Sequence, residues 1–268
     1  MKKILSLGLV LLLLTSCGGK KVDNVSQPGN DVKNKSSASV SASASPSTSS
    51  ITPPSPTPKP LATMSESKIT QKGAAGLLMS KDISGFGVVE PASELSSVVL
   101  GKLEKAYNDC LLPNAPDLVK FGAKSQLNGD RYQKNLLNGG HITIDSQVIK
   151  SSTPQADIAY LKNNTVYQKC LTEYITANVK EASGVKQLEA KFSVDSEKDG
   201  LLLCKIEVPK AGSFTGFTMF IYAYASKDFS IQYTINVMSA DAKLFKENSD
   251  ELDALIRKLA PEKKATLG

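Results

Sequence analysis

The chain has 268 residues, of which 41% are hydrophobic and 22% charged, and its formal net charge is +6. Most of this positive charge lies before residue 69, because the rest of the chain carries 24 basic and 23 acidic side chains. A nearly neutral domain lacks the basic surface that nucleic-acid binding requires, so we expect no nucleic-acid partner.

The first residues predict a signal peptide, residues 1–16. Lys2 and Lys3 precede an apolar run, residues 4–14, that spans about 17 Å as a helix and is too short to cross a bilayer. Leu14-Thr15-Ser16-Cys17 then resembles the lipobox of bacterial lipoproteins. The resemblance implies cleavage before Cys17 and lipid on its sulfur. It also implies a location on the outer face of the cytoplasmic membrane, or on the outer membrane of a diderm host. The alternative is an ordinary secretory signal with a coincidental cysteine.

Residues 17–72 are predicted to be the lipidated cysteine followed by a disordered tether. Serine dominates residues 36–50 and proline dominates 52–60, so too little apolar area exists to offset the entropy of ordering. A flexible tether of this length has an end-to-end distance of roughly 35–40 Å. Since no later stretch approaches the length of an apolar membrane span, lipid is the predicted membrane anchor.

Residues 73–261 are predicted to form one folded domain, followed by a short tail at 262–268. The first helix is expected to begin at a Ser93 cap and to run to about Leu111. Its spacing predicts one buried face that four residues share: Val99, Leu103, Ala106 and Cys110.

The middle of the domain predicts a strand and a helical segment after a loop-rich stretch, residues 113–130. Apolar and polar residues alternate over 141–150, which is typical of a strand. Thr153-Pro154 then marks a helix start, and the helix is expected to run towards Asn178. Its apolar stripe does not continue across Asn163-Asn164, which predicts either a kink or two helices.

After Gly184 the hydrophobic period becomes two, which predicts four consecutive strands within residues 188–194, 202–208, 217–225 and 229–237. The third is apolar on both sides and is therefore expected to be covered on both faces. An amphipathic helix over 241–260, stopped at Pro261, closes the domain. This order predicts an α+β fold with a central antiparallel sheet, a meander, flanked by helices.

The pattern over about residues 74–260 resembles the LpqN-type lipoproteins of actinobacteria and the outer domain of PknH-type kinases. The resemblance rests on a leading segment with Leu77-Leu78, Asp82 and Gly85-Phe86. A helix with a cysteine, a strand, a helix ending in Cys170-Leu171, the meander and a closing Leu-rich helix follow it in order. It implies a PsbP-like sandwich with a concave surface for a ligand. Family members often carry a further cysteine pair, for which this chain has too few cysteines.

Beyond Cys17, three cysteines would face an oxidising compartment, so one disulfide and one buried thiol is the simplest expectation. The separation of Cys110 and Cys170 is similar to that of a cysteine pair in the family, and this implies a disulfide between them. Pairing of Cys170 with Cys204 is an alternative, as is the absence of a disulfide. Otherwise Cys204, in the middle of a strand, is expected to be a small buried side chain.

The sequence predicts no catalytic residue, metal ligand or cofactor. His141, the single histidine, opens a strand where exposure is expected, and no nucleophile motif accompanies it. Asp195 and Glu197 are expected in a solvated hairpin loop. Three cysteines without CxxC spacing do not form a zinc set, and no phosphate- or dinucleotide-binding motif is present.

Phe220, Tyr222 and Tyr224 share one face of the third meander strand. They are predicted either to form core beneath covering helices or to line a pocket for an apolar small molecule, such as a lipid or envelope component. We therefore expect a binding or sensor-type lipoprotein that is not an enzyme. The alternative is an interaction protein that displays its domain to an envelope protein. A cavity of about 300 Å³ or more would favour the small ligand.

Overall fold

The computed structural model describes residues 71–92 and 100–268. The signal peptide, Cys17 and nearly all of the tether lie outside these residues and stay predictions. Ser93 and Val99, the expected start of the first helix, also lie outside them. Within the two described ranges, no helix is both long and apolar enough to cross a membrane.

The fold is built around one antiparallel sheet of eight strands, in the order β1-β3-β4-β8-β7-β6-β5, with β2 paired to β4. The strands are β1 (Gly87–Glu90), β2 (Gln126–Asn128), β3 (Arg131–Asn135), β4 (His141–Lys150), β5 (Lys191–Lys198), β6 (Leu201–Val208), β7 (Phe217–Ala225) and β8 (Phe229–Met238). The predicted meander is confirmed as β5 to β8, where each strand pairs with the next.

Helices cover both faces of the sheet, which confirms the predicted α+β fold with flanking helices. They are α1 (Lys102–Cys110), α2 (Pro154–Asn163), α3 (Thr165–Ser183) and α4 (Ala242–Leu267). One core cluster lies between the sheet and α1, α2 and α3, and a second lies between the sheet and α4 together with residues 78–86. The central strand β7 contributes Ile221 to the first cluster and Tyr222 to the second, so it is covered on both faces as predicted.

The buried face of α1 differs from the prediction. Ala106 and Cys110 are exposed, whereas Glu104 and Tyr107 are buried. Polar groups can be buried when they have partners, and the Tyr107 hydroxyl donates to the carbonyl of Val119 at 2.7 Å. Leu103, the third described residue of the predicted face, does pack against the first core cluster, so apolar spacing was right for one of the three.

The break at Asn163-Asn164 is confirmed as two helices. Asn164 ends α2 and caps α3, because its side-chain oxygen accepts the backbone N–H of Tyr167 at 2.8 Å. The second helix runs past the expected end at Asn178 to Ser183. It stops there at Gly184, whose φ of 70° is the left-handed conformation of a helix C-cap.

The last helix does not end at Pro261, and residues 262–267, predicted as a tail, belong to α4. Proline removes one helical hydrogen bond and disfavours a helix interior by about 3 kcal/mol. Tertiary contacts beyond the proline offset this cost: Leu267 is fully buried and Lys263 is 8% exposed. The sequence signal for a helix stop is therefore overridden by packing.

Candidate ligand cleft

A cleft of about 330 Å³ opens between α4 and residues 82–86. Its apolar lining comes from Ile142 of β4, from Phe86, and from three residues of α4: Leu252, Ala254 and Leu255. Ile142 and Leu252 are buried members of the second core cluster, so the cleft descends onto the core. The volume lies within the range of about 300–1,000 Å³ that small-molecule sites occupy.

The rim of the cleft is polar and mixed in charge. Five residues contribute to it: Asp82, Ser84, Lys134, Glu251 and Lys258. A further polar residue of the lining, Asn248, is buried. An apolar floor under a few polar groups is the usual composition of a small-ligand site, in which the polar groups fix orientation.

Asp82 is already neutralised by the protein. Its carboxylate pairs with Lys263 at 2.6 Å, each side chain is 10% exposed, and it also accepts the N–H of Met79 at 2.8 Å. The Lys263 ammonium donates in addition to the carbonyl of Leu77 at 2.9 Å. This buried pair fastens the wall of the cleft to the last turns of α4.

Three further hydrogen bonds hold the segment that leads into this wall. Tyr233 donates its hydroxyl proton to the carbonyl of Gly76 at 2.8 Å. The N–H of Leu78 donates to the Ser146 hydroxyl at 3.1 Å, and the Tyr132 hydroxyl donates to the carbonyl of Leu78 at 3.4 Å. The residues that follow the predicted tether are therefore bound to the sheet before they form one side of the cleft.

The remaining rim charges are not neutralised within the described residues. The ammonium of Lys134 lies 5.9 Å from the ring centroid of Phe86, within range of a cation–π contact. Neither Lys134 nor Lys258 forms an ion pair with a described carboxylate, and Glu251 forms none with a described cation. Because Lys263 balances Asp82, the two lysines exceed the remaining acid of the rim, Glu251, by one charge.

The predicted aromatic trio Phe220, Tyr222 and Tyr224 lies on the same side of the sheet, beneath α4, but contributes none of the residues that line this cleft. Tyr222 and Tyr224 are 1% and 2% exposed. The Tyr222 hydroxyl donates to Asp253 at 3.1 Å, and the Tyr224 hydroxyl bonds to that of Tyr233 at 2.7 Å. Burial raises the pKa of both phenols, so they stay neutral members of the core.

The structure contains a disulfide between Cys110 and Cys170, with 5.8 Å between their Cα atoms. This is the pairing that the family resemblance implies, and it joins the end of α1 to α3 on the side of the sheet away from the cleft. Cys204 is a buried free thiol, and burial raises its pKa to about 12. It is therefore protonated and unreactive at neutral pH.

Two expectations about polar residues are wrong. His141 is 7% exposed because β3 and β8 flank it on both sides, and burial lowers its pKa. Asp195 and Glu197 lie within β5, not in a hairpin loop. The turn contains only Asp199 and Gly200, whose positive φ values suit a two-residue hairpin, so the strand extends up to the turn.

The chain matches no protein-family model and no curated protein. Among the described residues, no three histidine, cysteine, aspartate or glutamate side chains are placed to hold a metal ion. The fold defines an α+β sandwich with helices on both faces, and the cleft is the feature on which a functional argument rests.

Proposed function

We propose that the chain is a lipid-anchored extracytoplasmic binding or sensor-type protein whose cleft holds a small amphiphile with an anionic head group. The observation that carries the proposal is the cleft of about 330 Å³ with an apolar floor and, on its rim, two lysines that pair with no carboxylate among the described residues. The resemblance to actinobacterial lipoproteins and the lipobox at Cys17 support the same class of protein.

The floor favours a ligand with an apolar body. Burying apolar surface of the ligand against Ile142, Leu252 and Leu255 contributes roughly 25 cal/mol of binding free energy for each Å² removed from water. Most of this contribution does not depend on the exact shape of the ligand. A purely apolar ligand would leave the rim charges without partners, however. An amphiphile satisfies both parts of the site.

The rim favours an anionic head. Lys134 and Lys258 stand on β3 and α4, so an anion between them would receive charge-assisted hydrogen bonds from two elements. Asp82 would not repel it, because its charge is balanced by Lys263. Glu251 on α4 pairs with no described cation, and its negative charge would favour a head group oriented towards the lysines.

A second candidate function is favoured by a different observation. Val88 and Val89, at the outermost strand β1, are 48% and 49% exposed. Its outer edge pairs with no described strand, and an edge of this kind with exposed valines is typical of a surface that adds a strand from a partner. In that case the chain would display its domain to an envelope protein, and the cleft would be incidental.

The anchor has its own test. In cells that express the chain, labelled palmitate is expected to mark the wild-type protein and to be absent from Cys17→Ala, because the acylated residue is missing. Cys204→Ala serves as the control and should keep the label. Undiminished labelling of Cys17→Ala would contradict the lipid anchor.

The ligand class is tested by calorimetric titration of the chain from residue 18 onwards, which keeps every described element. Dodecyl phosphate, used below its micellar concentration, is expected to bind at least 10-fold more tightly than dodecyltrimethylammonium, whose head has the opposite charge. In the double variant Lys134→Gln/Lys258→Gln, affinity for dodecyl phosphate should fall about 10-fold or more, since a hydrogen bond to a charged group contributes about 1.5–3 kcal/mol.

Two control variants separate the cleft from general effects. Leu255→Glu places a carboxylate on the floor and is expected to abolish binding of the alkyl chain. Lys246→Gln removes an exposed lysine of α4 that lies outside the cleft, and it is expected to leave the affinity for dodecyl phosphate unchanged. Equal affinity for the two amphiphiles, or full binding by the double lysine variant, would contradict the proposal.

A further inference from the structure

The acid that lines the cleft, Glu251, differs from its neighbours on α4. Three other acids of the helix form ion pairs with a basic residue four positions away: Lys243 with Glu247, Lys246 with Asp250, and Asp253 with Arg257. Glu251 has no basic residue three or four positions away, where such pairs form, because these positions hold Glu247, Asn248, Ala254 and Leu255. The sequence of α4 therefore supplies no helical counter-charge for this carboxylate.

Glu251 and Lys258 stand at separate points along the same wall of the cleft. Both are exposed residues of the lining, so a ligand in the cleft can reach them. They are seven residues apart, which is two helical turns or about 10.5 Å along the helix axis. One wall of the cleft thus carries a negative and a positive charge that do not pair with each other.

A second hydrogen-bond acceptor lies beside Glu251. Asn248, one turn earlier on α4, also lines the cleft. Its amide nitrogen donates to the carbonyl of Leu244 at 2.7 Å, and its side-chain oxygen accepts no hydrogen bond from a described residue. This part of the wall therefore offers acceptors, whereas Lys258, like Lys134 across the cleft, offers only donors.

A head group with an anion alone would use half of this arrangement. It would receive hydrogen bonds from the lysines and would leave Glu251 as a like charge nearby without a partner. A primary ammonium group has three N–H donors and a positive charge, so it can donate to Glu251 and to Asn248 together. A quaternary ammonium has the same charge but no N–H to donate.

We propose that the ligand of the cleft is an amphiphile whose head group joins its anionic group to a primary amine. The anionic group binds Lys258 and Lys134, and the ammonium group donates to Glu251 and Asn248. This inference rests on the proposed function, because it assigns the head group of the same ligand. Contacts of about 3 Å at each end of the 10.5 Å separation leave about 4–5 Å between the two charges, which suits a phosphate and an amine joined by two carbons.

The proposal is tested by calorimetric titration of the same chain, from residue 18 onwards, at low ionic strength, where exposed charges are weakly screened. The probe is dodecylphosphoethanolamine below its micellar concentration. The matched control is dodecylphosphocholine, which has the same chain, phosphate and net charge but a quaternary nitrogen. The ethanolamine compound is expected to bind about 5-fold more tightly, the upper range for an exposed ion pair.

Glu251→Gln removes the charge of an exposed side chain, and it should change the affinities for two ligands in different directions. Binding of dodecylphosphoethanolamine should weaken until its advantage over dodecylphosphocholine is about 2-fold or less. Binding of dodecyl phosphate should stay the same or become tighter, because a like charge is removed. Glu247→Gln alters another exposed acid of α4, one that pairs with Lys243 outside the cleft, and should leave all these affinities unchanged.

A further arm distinguishes a lipid-type ligand from a free phosphorylated amine. O-phosphoethanolamine, the head group without its chain, is expected to show no binding up to about 10 mM, since it lacks the apolar contact with the floor. Affinity of O-phosphoethanolamine equal to that of the dodecyl compound would overturn the assignment of an amphiphile.

Equal affinities for the ethanolamine and choline compounds, or an undiminished preference in Glu251→Gln, would overturn the proposal. The proposed function would survive either result if dodecyl phosphate still bound through the two lysines. Failure of all three phosphate amphiphiles to bind would overturn both.

Discussion

Replacing Lys263 with methionine is expected to lower the free energy of unfolding by about 3 kcal/mol or more. The change leaves Asp82 as a buried charge without its cation, and it removes the bond to the Leu77 carbonyl. Removing one partner of a buried ion pair is costly for this reason, whereas exposed pairs contribute little. Urea unfolding followed by circular dichroism measures the loss.

A matched control lies on α3. Lys169 and Glu173 form an ion pair at 3.8 Å with side chains 72% and 61% exposed, so Lys169→Met should change stability by less than about 1 kcal/mol. Because Lys263 also fixes the wall of the cleft, its variant should bind dodecyl phosphate more weakly than the control does. If Lys263→Met loses no more free energy of unfolding than Lys169→Met does, the pair of Lys263 and Asp82 does not hold the wall.

Replacing Cys110 with serine is expected to lower the free energy of unfolding by about 4 kcal/mol. The disulfide closes 60 residues, and in the chain-entropy treatment its removal restores the freedom of that loop in the unfolded state. Cys110 is exposed, so serine at this position creates no cavity in the core. Unfolding of the oxidised wild-type protein and of the variant gives the difference.

Reductant provides the control for this second prediction. It should destabilise the wild-type protein and a Cys204→Ala variant by similar amounts, and it should leave Cys110→Ser unchanged. Peptide mapping without reduction should recover Cys110 linked to Cys170. A peptide that links Cys204 to another cysteine would contradict the pairing.

The elements with strong local patterns were predictable from the sequence. The strand at 141–150 has the bounds that the alternation of apolar and polar residues indicates. The strand at 217–225 has the bounds of a run that is apolar on both faces. The strands β1, β2 and β3 were not predicted, and β2 lies within the stretch that was expected to be loop-rich. The segment Arg131–Asn135 contains a single apolar residue, Tyr132. It forms a strand because it pairs with β4, and the local sequence carries no signal for that pairing.

The cleft was harder to predict than the fold, for a physical reason. Its lining comes from residues 82–86, from β3 and β4, and from α4, which are brought together only by the completed sheet. One of its two lysines, Lys134, lies in a strand that local pattern did not reveal. The aromatic trio on β7 was the stronger sequence signal, but the structure places it under α4 with its hydroxyls already bonded.

The polar face of β8 shows a similar limit. The alternation of Thr234 and Asn236 with apolar residues was visible in the sequence, and it predicts one face in the core and one in water. Whether the second face is open or covered depends on the helices and loops that pack over it. Burial of Asn236 is therefore a property of the tertiary structure alone.

The most direct test of the proposed function is a crystal structure of the protein with dodecyl phosphate. The alkyl chain is expected to lie against Ile142, Leu252 and Leu255, with phosphate oxygens within about 3 Å of the ammonium group of Lys134 or Lys258. An empty cleft at saturating ligand, or an alkyl chain bound elsewhere, such as against the exposed valines of β1, would contradict it.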